Sequence, residues 1–105
     1  MAEIFQVTVT TPSDVVAGTI GRDVVARRLA ACAQVGGPIT SVYRWAGAVQ
    51  EAVEWTLVCK TAAGRLDALI EAIRGAHPYD TPEILAVAAT GDPAYLAWVE
   101  AEAGG

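Results

Sequence analysis

Ile39-Thr40-Ser41-Val42-Tyr43-Arg44-Trp45-Ala46-Gly47-Ala48-Val49-Gln50-Glu51-Ala52-Val53-Glu54-Trp55-Thr56-Leu57-Val58-Cys59-Lys60 is the stretch on which the fold turns. Ile39, Ser41, Tyr43 and Trp45 alternate with Thr40, Val42 and Arg44, and Val49, Val53, Trp55, Leu57 and Cys59 alternate with Gln50, Glu54, Thr56 and Lys60. A period of two on both sides of Ala46-Gly47 predicts two strands joined by a tight turn. Gly47 supplies a positive φ at the second central position, and Ala46 before it predicts a type II turn rather than type I′. An arm of a dozen residues reaches roughly 40 Å at ~3.3 Å per residue. A compact chain of this length has a radius of gyration of about 13 Å, so the hairpin must overhang its own domain. Val42, Tyr43, Trp45 and Val49 on such an overhang are an aggregation hazard unless another chain covers them. The reading is therefore of an oligomer, with Tyr43, Trp45 and Trp55 as interface residues.

Working outward, 105 residues make one domain, 1–105, just large enough for its own core. With 53% hydrophobic and 18% charged residues the chain carries more apolar surface than one small core needs, which again points to a subunit interface. A formal charge of -5 and a pI near 4.6 argue against nucleic acid, which asks for clustered Lys and Arg. Met1-Ala2-Glu3 leads straight into a strand without the basic and apolar regions of a signal peptide. The longest uncharged run, broken by Gly36-Gly37-Pro38, is too short for the ~20 residues that span a bilayer. The expectation is a cytoplasmic protein without direct membrane insertion, its two cysteines, Cys32 and Cys59, reduced. Any further protein partner is unspecified by the sequence.

Along the chain, Ile4 to Thr10 reads as a strand and Pro12-Ser13-Asp14 as a helix start before the stripe Val16, Ile20, Val24. Gly18 and Gly21 inside that helix suggest close packing or simple tolerance. Ala31 to Val35 opens a second strand, which Gly36-Gly37-Pro38 interrupts with a bulge or bend. After the hairpin, Thr61 is placed to cap a helix carrying Leu66, Leu69, Ile70 and Ile73 and closed by Gly75. His77-Pro78-Tyr79-Asp80-Thr81-Pro82 reads as a loop, with His77 at its exposed edge. Ile84 to Ala89, apolar on both faces, predicts an inner or interface-covered strand. Asp92-Pro93 starts a last helix as N-cap and N1, with Tyr95, Trp98 and Val99 on one side. The order βαββαβ plus a terminal helix is the α+β, ferredoxin-like arrangement, with helices on one face of the sheet.

Leu29-Ala30-Ala31-Cys32, Thr40-Ser41-Val42-Tyr43-Arg44-Trp45 with Gly47, Glu54 with Lys60-Thr61, His77-Pro78-Tyr79 with Thr81-Pro82-Glu83, and Tyr95-Leu96 with Trp98 together resemble the CutA family of divalent-cation tolerance proteins. The motifs run in register over nearly the whole chain. The resemblance implies a ferredoxin-like homotrimer in which long hairpins pack strand to strand between subunits, a fold similar to PII-type signalling proteins, and a link to copper and other divalent cations. The chain departs from the family in having Ala48 where Lys is common, fewer acidic residues after Gly47, and Cys59 where an aliphatic residue is usual.

Among side chains, only Cys32, Cys59 and His77 offer thiolate or imidazole ligands to a soft or borderline metal. Their spacing builds no four-ligand site within one chain, so copper or another divalent cation is expected only where subunits meet, and none is required for folding. Cys32, His77 and Glu83 are the candidate ligands; the alternatives are a structural thiol packed at the strand start for Cys32 and a hydrogen-bonded loop residue for His77. Lys60, Tyr79 and Glu54 are candidates to line a cleft for a small polar ligand. In an unbroken two-residue hairpin register Cys59 faces Gln34 and Cys32 is its diagonal neighbour at about 7 to 8 Å between Cα atoms, close enough for a Cu(I) dithiolate. One inserted residue at the glycines sends the thiols to opposite faces, and two set them directly opposite. No catalytic residues are assigned: no nucleophile and base stand in a supporting context, and Gly47-Ala48-Val49-Gln50 matches only part of an acylphosphatase loop. Three roles remain: a trimeric metal-binding protein, a PII-like module with a ligand between subunits, and a structural trimeric core.

Overall fold

The computed structural model describes residues 3–104. Strand β1 (Ile4–Thr11) is followed by α1 (Asp14–Ala26), β2 (Cys32–Trp45), β3 (Ala48–Ala62), a short 3-10 turn at Ala63–Arg65, α2 (Leu66–Ala76), β4 (Ile84–Ala89) and α3 (Pro93–Glu102). The antiparallel sheet has the order β2-β3-β1-β4, the ferredoxin-like topology. Its principal core joins Val7 and Val9 of β1, Leu57 and Cys59 of β3, and Ala17, Ile20 and Val24 of α1 to Leu69 and Ile73 of α2. These residues occupy alternate strand positions and helix positions three or four apart, so the periodicities read from the sequence are the ones the core uses. A second, smaller cluster of Ile4, Ala31, Ala62, Val99 and Ala103 seats α3 at one end of the sheet.

The caps follow the expected chemistry at two helices. Ser13 Oγ accepts from the Val16 N–H at 3.1 Å, and the Asp92 carboxylate accepts from the Tyr95 N–H at 3.0 Å with Pro93 behind it. Thr61 does not cap α2. It lies within β3, fully buried, and its hydroxyl donates to the Leu29 carbonyl at 2.7 Å, tying the strand to the chain leaving α1. Gly21 earns its place, because a Cβ there would lie 3.2 Å from both Ala33 Cβ and Leu57 Cδ1.

The hairpin is the long element. Residues 55–62 of β3 pair with β1, whereas residues 48–54 pair with β2 alone. At ~3.3 Å per residue this overhang is roughly 20 Å, and it stretches the molecule to 44 × 24 × 22 Å. The turn corrects the type II expectation: Ala46 has φ 51 and Gly47 φ 81, both positive, as in type I′. The twist of two long paired strands selects I′ although Ala in the left-handed region costs about 1–2 kcal/mol.

The expected bulge is present. Rungs run Trp45↔Ala48 to Ile39↔Glu54, then resume at Gly36↔Thr56, one extra residue on the β2 side. The slip places Cys32 opposite Lys60 and Cys59 opposite Ala33, so the thiols point to opposite faces of the sheet and the dithiolate arrangement is ruled out within a chain. β4 proves to be an edge strand rather than an inner one, and its Leu85 and Val87 stay 60% and 50% exposed on the face that α1 and α2 leave open. Gly37 has φ +128, and a Cβ there would come within 2.9 Å of Trp55 Cδ1 and 3.1 Å of its Cα. Replacement Gly37→Ala is expected to lower stability by about 2 kcal/mol or more through backbone strain and this overlap. Urea unfolding at fixed protein concentration measures it, and an unchanged midpoint would show that the bulge relaxes freely.

Candidate functional site

The residues of interest divide between two places. Where the overhang leaves the sheet, a cleft of about 580 Å³ is lined by Thr10 of β1, Ser41, Val42, Tyr43 and Trp45 of β2, Glu54 of β3, and Tyr79, Asp80, Thr81 and Glu83 of the loop before β4. Register explains the gathering: Ile39, Ser41, Tyr43 and Trp45 share one face of the arm with Glu54, and β1 ends just where Glu54 begins the overhang. Glu54 is only 7% exposed. Its Oε2 accepts from the Tyr79 hydroxyl at 3.2 Å, and no Lys, Arg or His lies within ion-pair distance of it among the described residues. Burial first, and then the bond to Glu54, holds the Tyr79 phenol above its usual range, so it stays a donor at neutral pH.

His77 stands behind this wall. It is 8% exposed, which corrects its expected place at a loop's outer edge. Its Nε2 lies 2.7 Å from the Thr10 carbonyl and its Nδ1 accepts from the Tyr79 N–H at 3.1 Å. An accepting Nδ1 leaves the proton on Nε2, which donates to Thr10. The ring, 4.8 Å from that of Tyr79, thus fixes the loop that carries Tyr79 and has both nitrogens engaged.

Cys32 lies elsewhere. It is opposite Lys60, six residues along β3 from Glu54 and so roughly 20 Å from the cleft. Its Sγ is 3.6 Å from the Tyr95 hydroxyl of α3, a contact that, ahead of burial, raises the Tyr95 phenol. Lys60 bonds the Gln34 side chain and does not reach the cleft, contrary to its expected grouping with Glu54 and Tyr79. Within one chain Cys32, His77 and Glu83 therefore form no common centre, and no group of three or more His, Cys, Asp or Glu is placed to hold a metal among the described residues. Trp45 is 59% exposed and Tyr43 also stands open, while Trp55 is half-buried over Gly37. The sequence reading assigned no site role to Thr10, Ser41, Asp80 or Thr81; Ser41 and Thr81 stand within the family motifs and Asp80 in the loop beside Tyr79, whereas Thr10 carried no signal beyond its strand.

The architecture defines a class, the ferredoxin-like domains with an extended β2–β3 hairpin. Residues 5–102 match the family described as CutA1 divalent ion tolerance protein, and the chain belongs to that family. A Thermus thermophilus divalent-cation tolerance protein CutA is 41% identical over 93% of this chain and 96% of its own. A CutA homologue of Xenopus laevis is 44% identical over 87% of this chain, which spans only 61% of that longer protein, and 52% of the Mus musculus protein CutA. Among solved structures, CutA from Xylella fastidiosa superposes with a TM-score of 0.92 at 36% identity, covering 95% of this chain and 97% of that one. An Archaeoglobus fulgidus relative, 27% identical with a TM-score of 0.89 over 98% of this chain and 99% of its own, is described as a periplasmic divalent cation tolerance protein.

Cys59 provides a check on the core. Burial, with Cys32 adding to it, pushes its thiol from 9.0 to about 12. The folded chain keeps this proton while the unfolded chain loses it above pH 9.0, so Cys59 lowers stability progressively from about pH 9 towards 12. A thiol reagent at pH 8 is expected to modify Cys32 in the native protein and Cys59 only after denaturation. Equal native reactivity would show that the strand opens at Cys59.

Proposed function

We propose that this chain acts as a homotrimer in the handling of divalent cations, holding copper or another divalent metal between subunits, and that its role is binding rather than catalysis. The observation that carries assembly is β2. It is an edge strand of 14 residues whose outer row of backbone groups has no strand partner among the described residues, and it bears exposed Val42, Tyr43 and Trp45. A long apolar edge is a template for another strand, and a closed threefold ring satisfies every copy alike. Leu85 and Val87 on the open face of the sheet ask for the same cover.

Symmetry also answers the scarcity of ligands. One half-buried Cys32 per chain becomes three in the trimer, and thiolates suit Cu(I), whereas Zn(II) wants four ligands. His77 would have to surrender two hydrogen bonds to join them, and Glu83 belongs to the cleft. A reducing compartment, the cytoplasm, keeps Cys32 available as a thiol. No helix of the described residues is long and apolar enough to cross a membrane. A second reading, a PII-like module with a small ligand at the subunit boundary, is favoured by the buried Glu54 carboxylate in its cleft.

Light scattering is expected to give about three times the 10.9 kDa chain mass, and a folded monomer would contradict the proposal. Anaerobic titration of that trimer is expected to show saturable Cu(I) binding that Cys32→Ala abolishes and Cys59→Ala leaves intact; binding indifferent to Cys32 would refute the ligand assignment. Trp45→Ala is expected to weaken assembly by ~2 kcal/mol or more per site while leaving circular dichroism of the chain unchanged. An unaltered dissociation profile would place Trp45 in solvent.

A further inference from the structure

Helix α3 is held to the body of the chain by little apolar contact and by two arginines. Within it only Val99 is fully buried; Leu96 is half-buried, Ala103 is buried just past its end, and these pack with Ile4, Ala31 and Ala62. A helix of 10 residues is too short to persist in water without docking. The last carbonyls of a helix also have no partner within it. Here Arg28 Nη2 donates to the Ala101 carbonyl at 2.8 Å, with Nη1 3.8 Å from the Glu102 carboxylate, and Arg65 Nη2 donates to the Gly104 carbonyl at 3.0 Å. Two cations at this end suit the negative pole of the helix dipole as well.

The backbone at both clamps is specialised. Arg28 follows α1 at φ 58, in the left-handed region, where the Arg28 N–H donates to the Val25 carbonyl at 3.0 Å and the Leu29 N–H to the Val24 carbonyl at 2.9 Å. Glycine commonly fills such a helix stop, and an L side chain there strains the backbone. What Arg28 adds over glycine is the reach of its guanidinium to α3, so the strained position itself points to the clamp. Gly104 has φ +91, and a Cβ on it would come within 2.9 Å of Arg65 Cγ and 3.1 Å of its Cδ, so the second clamp closes over a glycine. Near the other end of α3, the Tyr95 hydroxyl lies 3.6 Å from Cys32 Sγ. Residues 90–92, between β4 and α3, belong to no regular element and give the helix a pivot.

We propose that α3 is a strap over Cys32, latched at its C-terminal end by Arg28 and Arg65, and that undocking of this strap, while the core stays folded, sets access to the Cys32 thiol. A segment with few buried contacts opens at lower free energy than the core it rests on. Every contact of the latch lies within one chain, so the strap belongs to each copy in an assembly. The device governs access to Cys32 and is independent of what binds there.

Thiol labelling and amide exchange of the assembled protein test this, with Cys59 as the internal reference because it is buried on the opposite face of the sheet from Cys32. Arg28→Gly removes the clamp and relieves the backbone in one step. The expected result is labelling of Cys32 faster by about fivefold or more, faster exchange of the amides of residues 96–103, and no labelling of Cys59. Arg65→Ala and Gly104→Ala open the second clamp from its two sides and are expected to act alike. Arg74→Ala, whose ion pair with Glu71 lies on α2, is expected to leave both readouts unchanged. Cys32 labelling at the parent rate in Arg28→Gly and Gly104→Ala would overturn the proposal. A rise that Cys59 shares would overturn it as well, since the variants would then be loosening the core and not the strap.

Discussion

Backbone pairing on a hairpin longer than its sheet is the constraint from which the rest of this structure follows. β2 and β3 run 14 and 15 residues, but β1 offers only 8 and β4 only 6. Every N–H and C=O that leaves water needs a partner, and beyond Trp55 the second arm has only the first. The arm thus extends as a two-stranded ribbon, a form of marginal stability alone in water. The one-residue bulge at its root leaves the register set by the turn intact in the overhang, where Tyr43 and Trp45 share a face with Glu54, and shifts the β2 residues below it, so that Cys32 and Cys59 lie on opposite faces. The cleft thus follows from the register set at the turn, and the separation of the two thiols from the slip.

Elements governed by local chemistry were legible. Alternation over Ile39–Lys60, the Ser13 and Asp92 caps, and the α1 stripe are each determined within a few residues, and the structure reproduces them. The errors came where distant parts decide. Thr61 has the right residue type for a helix cap, but pairing with Phe5 and the carbonyl of Leu29 hold it in β3. Ala46 adopts a conformation that its own side chain disfavours because two long strands impose their twist on it. β4, apolar on both faces, fitted an inner or an interface-covered strand, and the sheet order excludes the first, since β4 lies at an edge with Leu85 and Val87 exposed.

The site was legible in part. Glu54, Tyr79 and Glu83 meet at the cleft because strand parity and the loop before β4 bring them there. Lys60 has the same parity as Glu54, which made the grouping attractive, yet parity says nothing of distance along a strand. His77 shows the opposite limit. A histidine before proline suggests an exposed loop, and only the packed loop reveals that Thr10 and Tyr79 occupy both ring nitrogens.

Amide hydrogen exchange along β2 tests the central claim, that the overhanging ribbon is held by other copies of the chain. The account predicts that in the assembled protein the amides of residues 39–45 that point away from β3 exchange slowly, and that dilution to single chains releases them. Exchange of those amides at the rate of free peptide in the native, undiluted protein would contradict it, since the edge would then be facing water.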